Sequence, residues 1–482
     1  MNEKKLNRRK FLKQIGIGSA LLATTSTRYW GCHRKSSAVR PNVLFILTDD
    51  QRADTINALS DQAIQTPTLD RLVREGVSFT NAYIMGSTSG AVCMPSRAML
   101  LTGRTLFKLE KKGLVIPDEH ILLPEALRHA GYQTFGTGKW HNSRQAYARC
   151  FTHGAKIMFR GMSDHLHVPV YDFDPTGIYD AENEYISDQF SSEMFTDAAI
   201  QFIEKDVKHD PFFMFVSYSA PHDPRMAPDE FKKRYPPDQM QLPKNFLPQH
   251  PFDNGELDIR DEKLAPTPRT AGTVRKHLSD YYAMITQLDF QIGRLLDALE
   301  KSGKMDQTII VFASDNGLAI GSHGLLGKQN LYEHSVKVPL IFKGPGIPRN
   351  VRNQSLCLLS DLFPTICRMT TIPIPPTVEG SSLTPVLDNE RVAYRDHIFF
   401  AYKNYQRGIR TADGWKLIHY RLRGKKKTQL FNLNRDPQEL DNLIGDDRYH
   451  DIIKQLQQLM RQEMVSHGDF CRFEQSNWNM PE

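Results

Sequence analysis

The sequence predicts an α/β fold: one large, mostly parallel sheet flanked by helices, followed by a smaller C-terminal antiparallel sheet. Three observations lead there. Short runs of apolar residues recur, each ending in polar loop residues; helical periodicity fills the intervals; and from about Asp396 the pattern changes to alternating strands separated by tight turns. Strands apolar on both faces and alternating with helices belong to parallel sheets covered on two sides, whereas short alternating strands joined by turns belong to antiparallel ones. The 482 residues divide on this reading into a leader at 1–31, a large domain at 40–390 and a smaller one at 391–482.

Along the chain, VLFIL (43–47) runs into Thr48, Asp49 and Asp50. Next comes AVCMPSRAMLLTGR (91–104), where Pro95 suits a first helical turn because its missing N–H would be unpaired there anyway. A helix over 94–101 then puts Cys93 at the positive end of the helix dipole and Arg97 one turn further on. Thr134 and Phe135 lead into GTGKWH (136–141), FFMFVSY (212–218) into SAPHDP (219–224), and TIIVFA (308–313) into SDNG (314–317). Between the last two, Ser279 reads as an N-cap. Tyr282, Ile285, Leu288, Ile292, Leu295 and Leu299 make an apolar stripe that belongs to the core, and Gly303 is the stop. The Pro-rich section 235–269 reads as a long irregular insertion with a functional part to play. IFFAY (398–402), GIRTADGWKLIHY (408–420) and TQLFNL (428–433) form the small sheet, and a helix around 448–465 ends the fold. Arg421, Arg423, Lys425, Lys426 and Lys427 fall at one of its turns, read as a solvated hairpin tip, with contact to an anionic ligand as the alternative.

The formal charge of +6 is local. Residues 1–31 hold seven basic residues and one acid, and so account for all of it; the neutral remainder argues against a nucleic-acid partner. Within that leader, NRRKFLK precedes the short apolar stretch IGIGSALLATTST, the arrangement of a twin-arginine export signal. Export to the periplasm or outer surface is therefore expected. Gly31-Cys32 resembles a lipoprotein acceptor, although Tyr29 and Trp30 depart from that pattern, so lipid anchoring stays open. The six cysteines are few for an exported chain of this length; Cys150, Cys357, Cys367 and Cys471 read as buried free thiols.

In an open α/β sheet, ligands sit beyond the carboxyl ends of the strands. The four strand ends deliver Asp49 and Asp50, then Lys139 and His141, then His222, then Asp315 and Asn316. Three carboxylates and an amide oxygen are hard donors, the set for Ca²⁺ or Mg²⁺ rather than zinc. Adjacent Asp49 and Asp50 would repel one another unless a cation neutralised them. Arg97, Lys139, His141, His222 and Lys328 would form a positive pocket for a tetrahedral oxyanion. A thiol at Cys93 is a poor companion for a hard ion; an oxygen nucleophile would suit it better.

C-x-P-S-R-x-x-x-L-T-G-R, present as Cys93, Pro95, Ser96, Arg97, Leu101, Thr102, Gly103 and Arg104, closely resembles the signature of the type I sulfatases, members of the alkaline-phosphatase-like superfamily. PNVLFILTDD, GTGKWH, APHDP, SDNG, HGLLGKQNLYEHSVKVPLIF, DLFPT and LFNLNRDPQELDNL extend that resemblance over nearly all the mature chain. It implies that a formylglycine-generating maturation enzyme oxidises Cys93 to formylglycine (3-oxoalanine), whose hydrate attacks sulfur and then eliminates sulfate. It implies calcium, ahead of magnesium, on Asp49, Asp50, the modified Cys93, Asp315 and Asn316. Arg97 would steady the formylglycine, and His141 would be the base for elimination. Lys139, His222 and Lys328 would bind the sulfate oxygens, with His222 the proton donor to the departing alcohol. His323 is a further loop residue near Lys328. The loops 163–193 and 235–269 match no family-wide motif and would line the substrate pocket, which makes Arg225, His165, His167 and Arg269 recognition candidates. The expected substrate is a sulfated saccharide; choline or aryl sulfates, phosphonate or phosphodiester hydrolysis, and a non-catalytic glycan-binding module are the alternatives.

Overall fold

Eight strands form the large sheet: β1 (Asn42–Thr48), β2 (Val77–Phe79), β3 (Gln133–Lys139), β4 (His153–Met158), β5 (Phe212–Ser217), β6 (Thr308–Ser314), β7 (Leu340–Lys343) and β8 (Val351–Asn353). Their spatial order is β8-β2-β7-β6-β1-β5-β3-β4, and β7 alone runs against the rest. These details come from a computed structural model that describes residues 40–207, 211–387, 394–475 and 478. The twin-arginine stretch and Cys32 lie outside the described residues.

Central β1 shows why the runs are apolar throughout. Val43, Phe45 and Leu47 face one hydrophobic core while Leu44 and Ile46 face the other, so alternate side chains serve opposite faces. Register then fixes the functional rim. Thr48 pairs with Ser314, Leu47 with Ser217, and Ser217 with Gly138, which brings four strand ends to one level. The backbone staples them: Asp315 N–H donates to the Thr48 carbonyl at 3.1 Å and Tyr218 N–H to the Leu47 carbonyl at 2.8 Å.

Helix α1 (Cys93–Thr102) is buried along its whole length, and Gly103 ends it at φ 65, its N–H donating to the Met99 carbonyl. The long helix α2 spans Ala271–Lys301 and begins earlier than the sequence suggests. Its N-cap is Thr270, whose hydroxyl accepts the Thr273 N–H; Ser279 sits inside the helix and donates to the Tyr235 carbonyl at 2.5 Å. Val274 and Leu278 carry the apolar stripe upward by two turns, and Gly303 stands just past the end at φ 71.

The antiparallel sheet comprises β9 (His397–Tyr402), β10 (Gln406–Thr411), β11 (Trp415–Leu422) and β12 (Lys425–Asn432), followed by α3 (His450–Ser466). Gly86–Ser87 adds a fifth strand, parallel to β9. Gly86 has φ 107, and a Cβ there would lie 2.0 Å from the Ala401 carbonyl oxygen, so only glycine permits this pairing. The segment leading to Cys93 is thereby fastened to the C-terminal sheet. Arg421 is not part of a solvated tip: it is buried, its guanidinium 4.8 Å from the Trp478 ring and 5.3 Å from that of Phe473. Arg423, Lys425, Lys426 and Lys427 are exposed. The described cysteines, Cys93, Cys150, Cys357, Cys367 and Cys471, are all free and buried. No helix among the described residues is long and apolar enough to cross a membrane.

Candidate active site

The rim holds what the strand ends deliver. Asp49, Asp50, Lys139, His222, Asp315 and Asn316 converge there, joined by Cys93 and Arg97 from α1 and by Lys328 from the loop after β6; each of these nine side chains is buried. Cys93 Sγ lies 3.2 Å from Asp49 Oδ1, 3.8 Å from Asp50 Oδ1 and 2.8 Å from Lys328 Nζ. Lys328 also donates to Asp50 Oδ1 at 2.5 Å, and Lys139 donates to Asp49 Oδ2. His222 Nδ1 donates to the Asp223 carbonyl at 2.8 Å, which fixes the tautomer and leaves Nε2 3.7 Å from Asp50 Oδ2.

Arg97 reaches all four strand ends. Its Nε donates to Asp315 Oδ2 at 2.7 Å, one terminal nitrogen donates to the Lys139 carbonyl at 2.8 Å and to Ser217 Oγ at 2.6 Å, and the other stands 3.8 Å from Asp49 Oδ2. Ser96 alongside it donates to the Asp315 carbonyl at 2.5 Å. Asp50 and His141 are both held in left-handed backbone conformations, at φ 65 and 67. Such non-glycine residues are uncommon and cluster at functional sites. Tyr281 on α2 supports the first, donating to the Asp50 carbonyl at 2.6 Å.

The charges act strongly at this depth. Burial alone would raise the Asp49 carboxyl, but Lys139, His222 and Arg97 hold it well below the usual carboxylate range. Asp315 goes the other way, pushed up to about 6 by burial and by the Asp49 charge. Burial and Lys139 keep the His141 imidazole neutral, well below its ordinary value. The Cys93 thiol is pushed well above its normal range by burial and by Asp49. A helix N-terminus therefore does not make Cys93 a thiolate; desolvation and a neighbouring carboxylate outweigh the dipole.

The site has atoms that could hold a metal ion, and the Asp49 and Asp50 carboxylates are the hard donors among them. Ligand atoms of Asp49, Asp50, Cys93 and His222 all fall within 4.8 Å of one another. Asn316 donates its amide to Asp50 Oδ1 at 2.6 Å, while its buried Oδ1 has no hydrogen-bond partner among the described residues. A buried amide oxygen without a hydrogen-bond partner is open to a cation as a ligand. Asp315 stands further back than the spacing suggests: its Oδ2 is engaged by Arg97 and its Oδ1 accepts the Asp50 N–H at 3.2 Å.

The other candidates divide. His323 stacks on Tyr332, ring centroids 3.9 Å apart, and donates to the Glu439 carbonyl at 3.0 Å, which is loop shaping. His165 is locked between Ser191 Oγ and the His222 carbonyl, at 2.7 and 2.9 Å, so it braces the His222 loop from behind. His167 is exposed beside Asp164. Arg269 is buried in an ion pair with Glu262 and donates to the Gly324 carbonyl at 2.8 Å, which commits it internally. Arg225 bonds His277 Nδ1 at 2.8 Å and lies close enough to Asp223 and Asp50 to feel their charge. Ser217, Asp223, Asp261, Glu262 and Gln329 join the site's framework without having been singled out in the sequence; Ser217 lies near the end of the predicted strand 212–218, and Asp223 and Gln329 lie within the APHDP and HGLLGKQNLYEHSVKVPLIF stretches.

A family model for sulfatases matches residues 41–372, and one for the C-terminal part of N-sulphoglucosamine sulphohydrolase matches 321–466. An N-acetylglucosamine-6-O-sulfatase of Bacteroides thetaiotaomicron is 28% identical, over 90% of this chain and 88% of that one. An ulvan-active sulfatase of Formosa agariphila is also 28% identical, over 90% and 83%. A solved structure in complex with its substrate D-glucosamine-2-N,6-O-disulfate superposes with a TM-score of 0.76 at 25% identity, covering 90% of this chain and all of the other. The carboxylate pair, the C-x-P-S-R helix and the match over most of the chain agree: this protein belongs to the sulfatase family of the alkaline-phosphatase-like superfamily and is a sulfuric ester hydrolase.

Proposed function

We propose that this chain is an exported hydrolase that removes sulfate from a sulfated glycan, with residue 93 converted to formylglycine by a maturation enzyme and calcium held by Asp49, Asp50, residue 93, Asp315 and Asn316. One observation carries the reading: Cys93 is buried between the Asp49 and Asp50 carboxylates and the Lys328 ammonium, where its thiol is neither ionised nor a fitting ligand for a hard ion. The glycan part is supported by the relatives, one acting on N-acetylglucosamine 6-O-sulfate and another on ulvan, and by the glucosamine disulfate bound to the solved neighbour. The N-terminal twin-arginine stretch supports export.

Formylglycine, as its hydrate, supplies an oxygen nucleophile; calcium supplies charge that polarises the reacting oxygens. The remaining work falls to this chain's own groups. Lys139 and Lys328 hold sulfate oxygens by fixed positive charge in a buried site, where each contact is stronger than in water. His222, whose Nδ1 proton is spent on the Asp223 carbonyl, has Nε2 free to carry a proton to the departing alcohol. His141, kept neutral, can accept one.

Two measurements test this. Dialysis of matured enzyme against a calcium chelator should lower turnover by at least about 100-fold, with Ca²⁺ restoring it better than Mg²⁺ and Zn²⁺ failing; undiminished activity after verified metal removal would refute the ion. A panel of sulfated saccharides, aryl and choline sulfates, and matched phosphodiester and phosphonate esters should give the highest kcat/KM on a sulfated saccharide. A preference for phosphorus esters would replace the reading with the phosphonate and phosphodiester branch of the superfamily.

A further inference from the structure

The insertion 235–269 looks from the sequence like a substrate-lining loop, but its buried acids turn inward. Its last stretch is a short turn, Arg260–Leu264. Glu262 there is buried, and its carboxylate accepts the Leu326 N–H at 3.0 and 3.1 Å and the Gly327 N–H at 2.8 Å. The next N–H, that of Lys328, goes to Gln329 Oε1 at 3.0 Å. Gln329 is in turn held by Asp261: its Nε2 donates to Asp261 Oδ2 at 2.7 Å and to the Gly90 carbonyl at 3.1 Å, three residues before Cys93. Three successive amides leading into Lys328 are thus satisfied by Glu262 and by a glutamine that Asp261 anchors. Contact is close enough to require glycine at 327, where a Cβ would lie 2.4 Å from Gln329 Oε1 and 2.9 Å from Asp261 Cβ.

The same turn grips the opposite side of the site. Arg260 makes a two-pronged pair with Asp223, at 2.5 and 3.0 Å, and bonds Asp261 at 2.6 Å. Asp223 supplies the carbonyl that fixes His222, and its carboxylate lies 3.5 Å from His222 Nδ1. Arg269 closes the insertion on itself through Glu262. The Lys328 and His222 loops follow strands β6 and β5; Asp50, at the end of β1 between them, meets both side chains inside the pocket, and the insertion ties the two loops together from behind.

We infer that Asp261 and Glu262 are positioning residues for Lys328, and that the insertion braces the Lys328 loop against the His222 loop at the distance the transferring sulfate requires. This rests on the reading above that Lys328 holds that group. Neither acid touches substrate; both act through the lysine. A group working through another leaves a signature that a merely structural group does not: its effect vanishes when the other is gone.

The experiment is a double-mutant cycle in the matured full-length enzyme, read on an activated aryl ester so that weak turnover is measurable. Glu262→Ala should lower kcat/KM about tenfold in the native background, because two buried N–H groups lose their acceptor and the lysine drifts. In the Lys328→Ala background the same change should cost less than about twofold. Inorganic sulfate, used as a competitive inhibitor, should bind more weakly to Glu262→Ala by a similar factor to the kcat/KM loss. Equal losses in both backgrounds, or no loss in the native one, would overturn the brace. If Glu262→Ala does not fold, Asp261→Asn, which weakens the links to Gln329 and Arg260, goes through the same cycle with the same two readings. Failure of the sulfatase reading shows separately, as a native enzyme that prefers another ester class; the cycle is then run on that class, and its outcome still decides the brace.

Discussion

Cys93→Ala should abolish turnover, lowering kcat/KM by at least about 10⁴-fold while leaving the fold intact. The position allows no substitute nucleophile. The buried Sγ atom stands among Asp49, Asp50 and Lys328, and the thiol itself is held protonated by burial and by Asp49. Loss of one small side chain from the end of a buried helix costs little stability next to that chemical loss. Cys93→Ser makes the test sharper. A hydroxyl of nearly the same size can keep the contact with Lys328, so a purely structural role for residue 93 predicts substantial recovery. The formylglycine reading predicts recovery only in so far as the residue is chemically converted. Peptide mass analysis of native enzyme and of the serine variant decides between them: unaltered sulfur at position 93 in fully active native protein would rule out the aldehyde, and an active, unconverted serine would replace it with a plain hydroxyl nucleophile. Dependence of native activity on co-expression of a maturation enzyme checks the same point independently.

How far the sequence discloses such a site depends on which kind of contact makes it. Asp49, Lys139, His222 and Asp315 are legible because a parallel sheet sends every strand's carboxyl end to one rim, so position after an apolar run predicts convergence in space. Arg97 is legible through its spacing from Cys93 along a helix. Contacts between segments far apart in sequence leave no such trace. Gly86–Ser87 is two residues long, and nothing in it announces a partner at Ala401 more than three hundred positions later. Asp261 and Glu262 sit in a Pro-rich stretch without periodicity, where acids read as solvated; their burial against 326–329 exists only in three dimensions. The start of α2 was a different kind of miss. Thr270 and Ser279 are equally good capping residues, and the earlier one wins because Val274 and Leu278 extend the apolar stripe at four-residue steps, a signal that was present in the sequence. Arg421 shows the opposite failure: proximity to a turn suggested exposure, but Phe473 and Trp478 from the chain's end cover it.

Arg97→Met is the substitution expected to do the greatest combined damage to stability and chemistry, because one guanidinium joins four strand ends. It donates to Asp315, to the Lys139 carbonyl and to Ser217, and it lies 3.8 Å from Asp49, all with its own side chain almost wholly buried. Methionine fills much of the volume but returns none of the bonds. Asp315, already pushed up to about 6, loses the cation that opposes its desolvation, and two buried acceptors are left without a donor. Removing one partner of a buried charge pair typically costs about 3–5 kcal/mol, so chemical denaturation should show a loss of that size. Turnover should fall by about 10³-fold or more, since the Asp49 and Asp315 carboxylates and the Lys139 backbone are no longer held in register. Lysine at this position separates the two effects. Its ammonium restores a charge near Asp315 but cannot make the branched set of contacts, so Arg97→Lys should recover much of the stability and little of the rate. Equal recovery of both would mean that Arg97 matters only as a buried positive charge. Full activity in Arg97→Met would show that the rim is held in place by other contacts and that this side chain does not organise it.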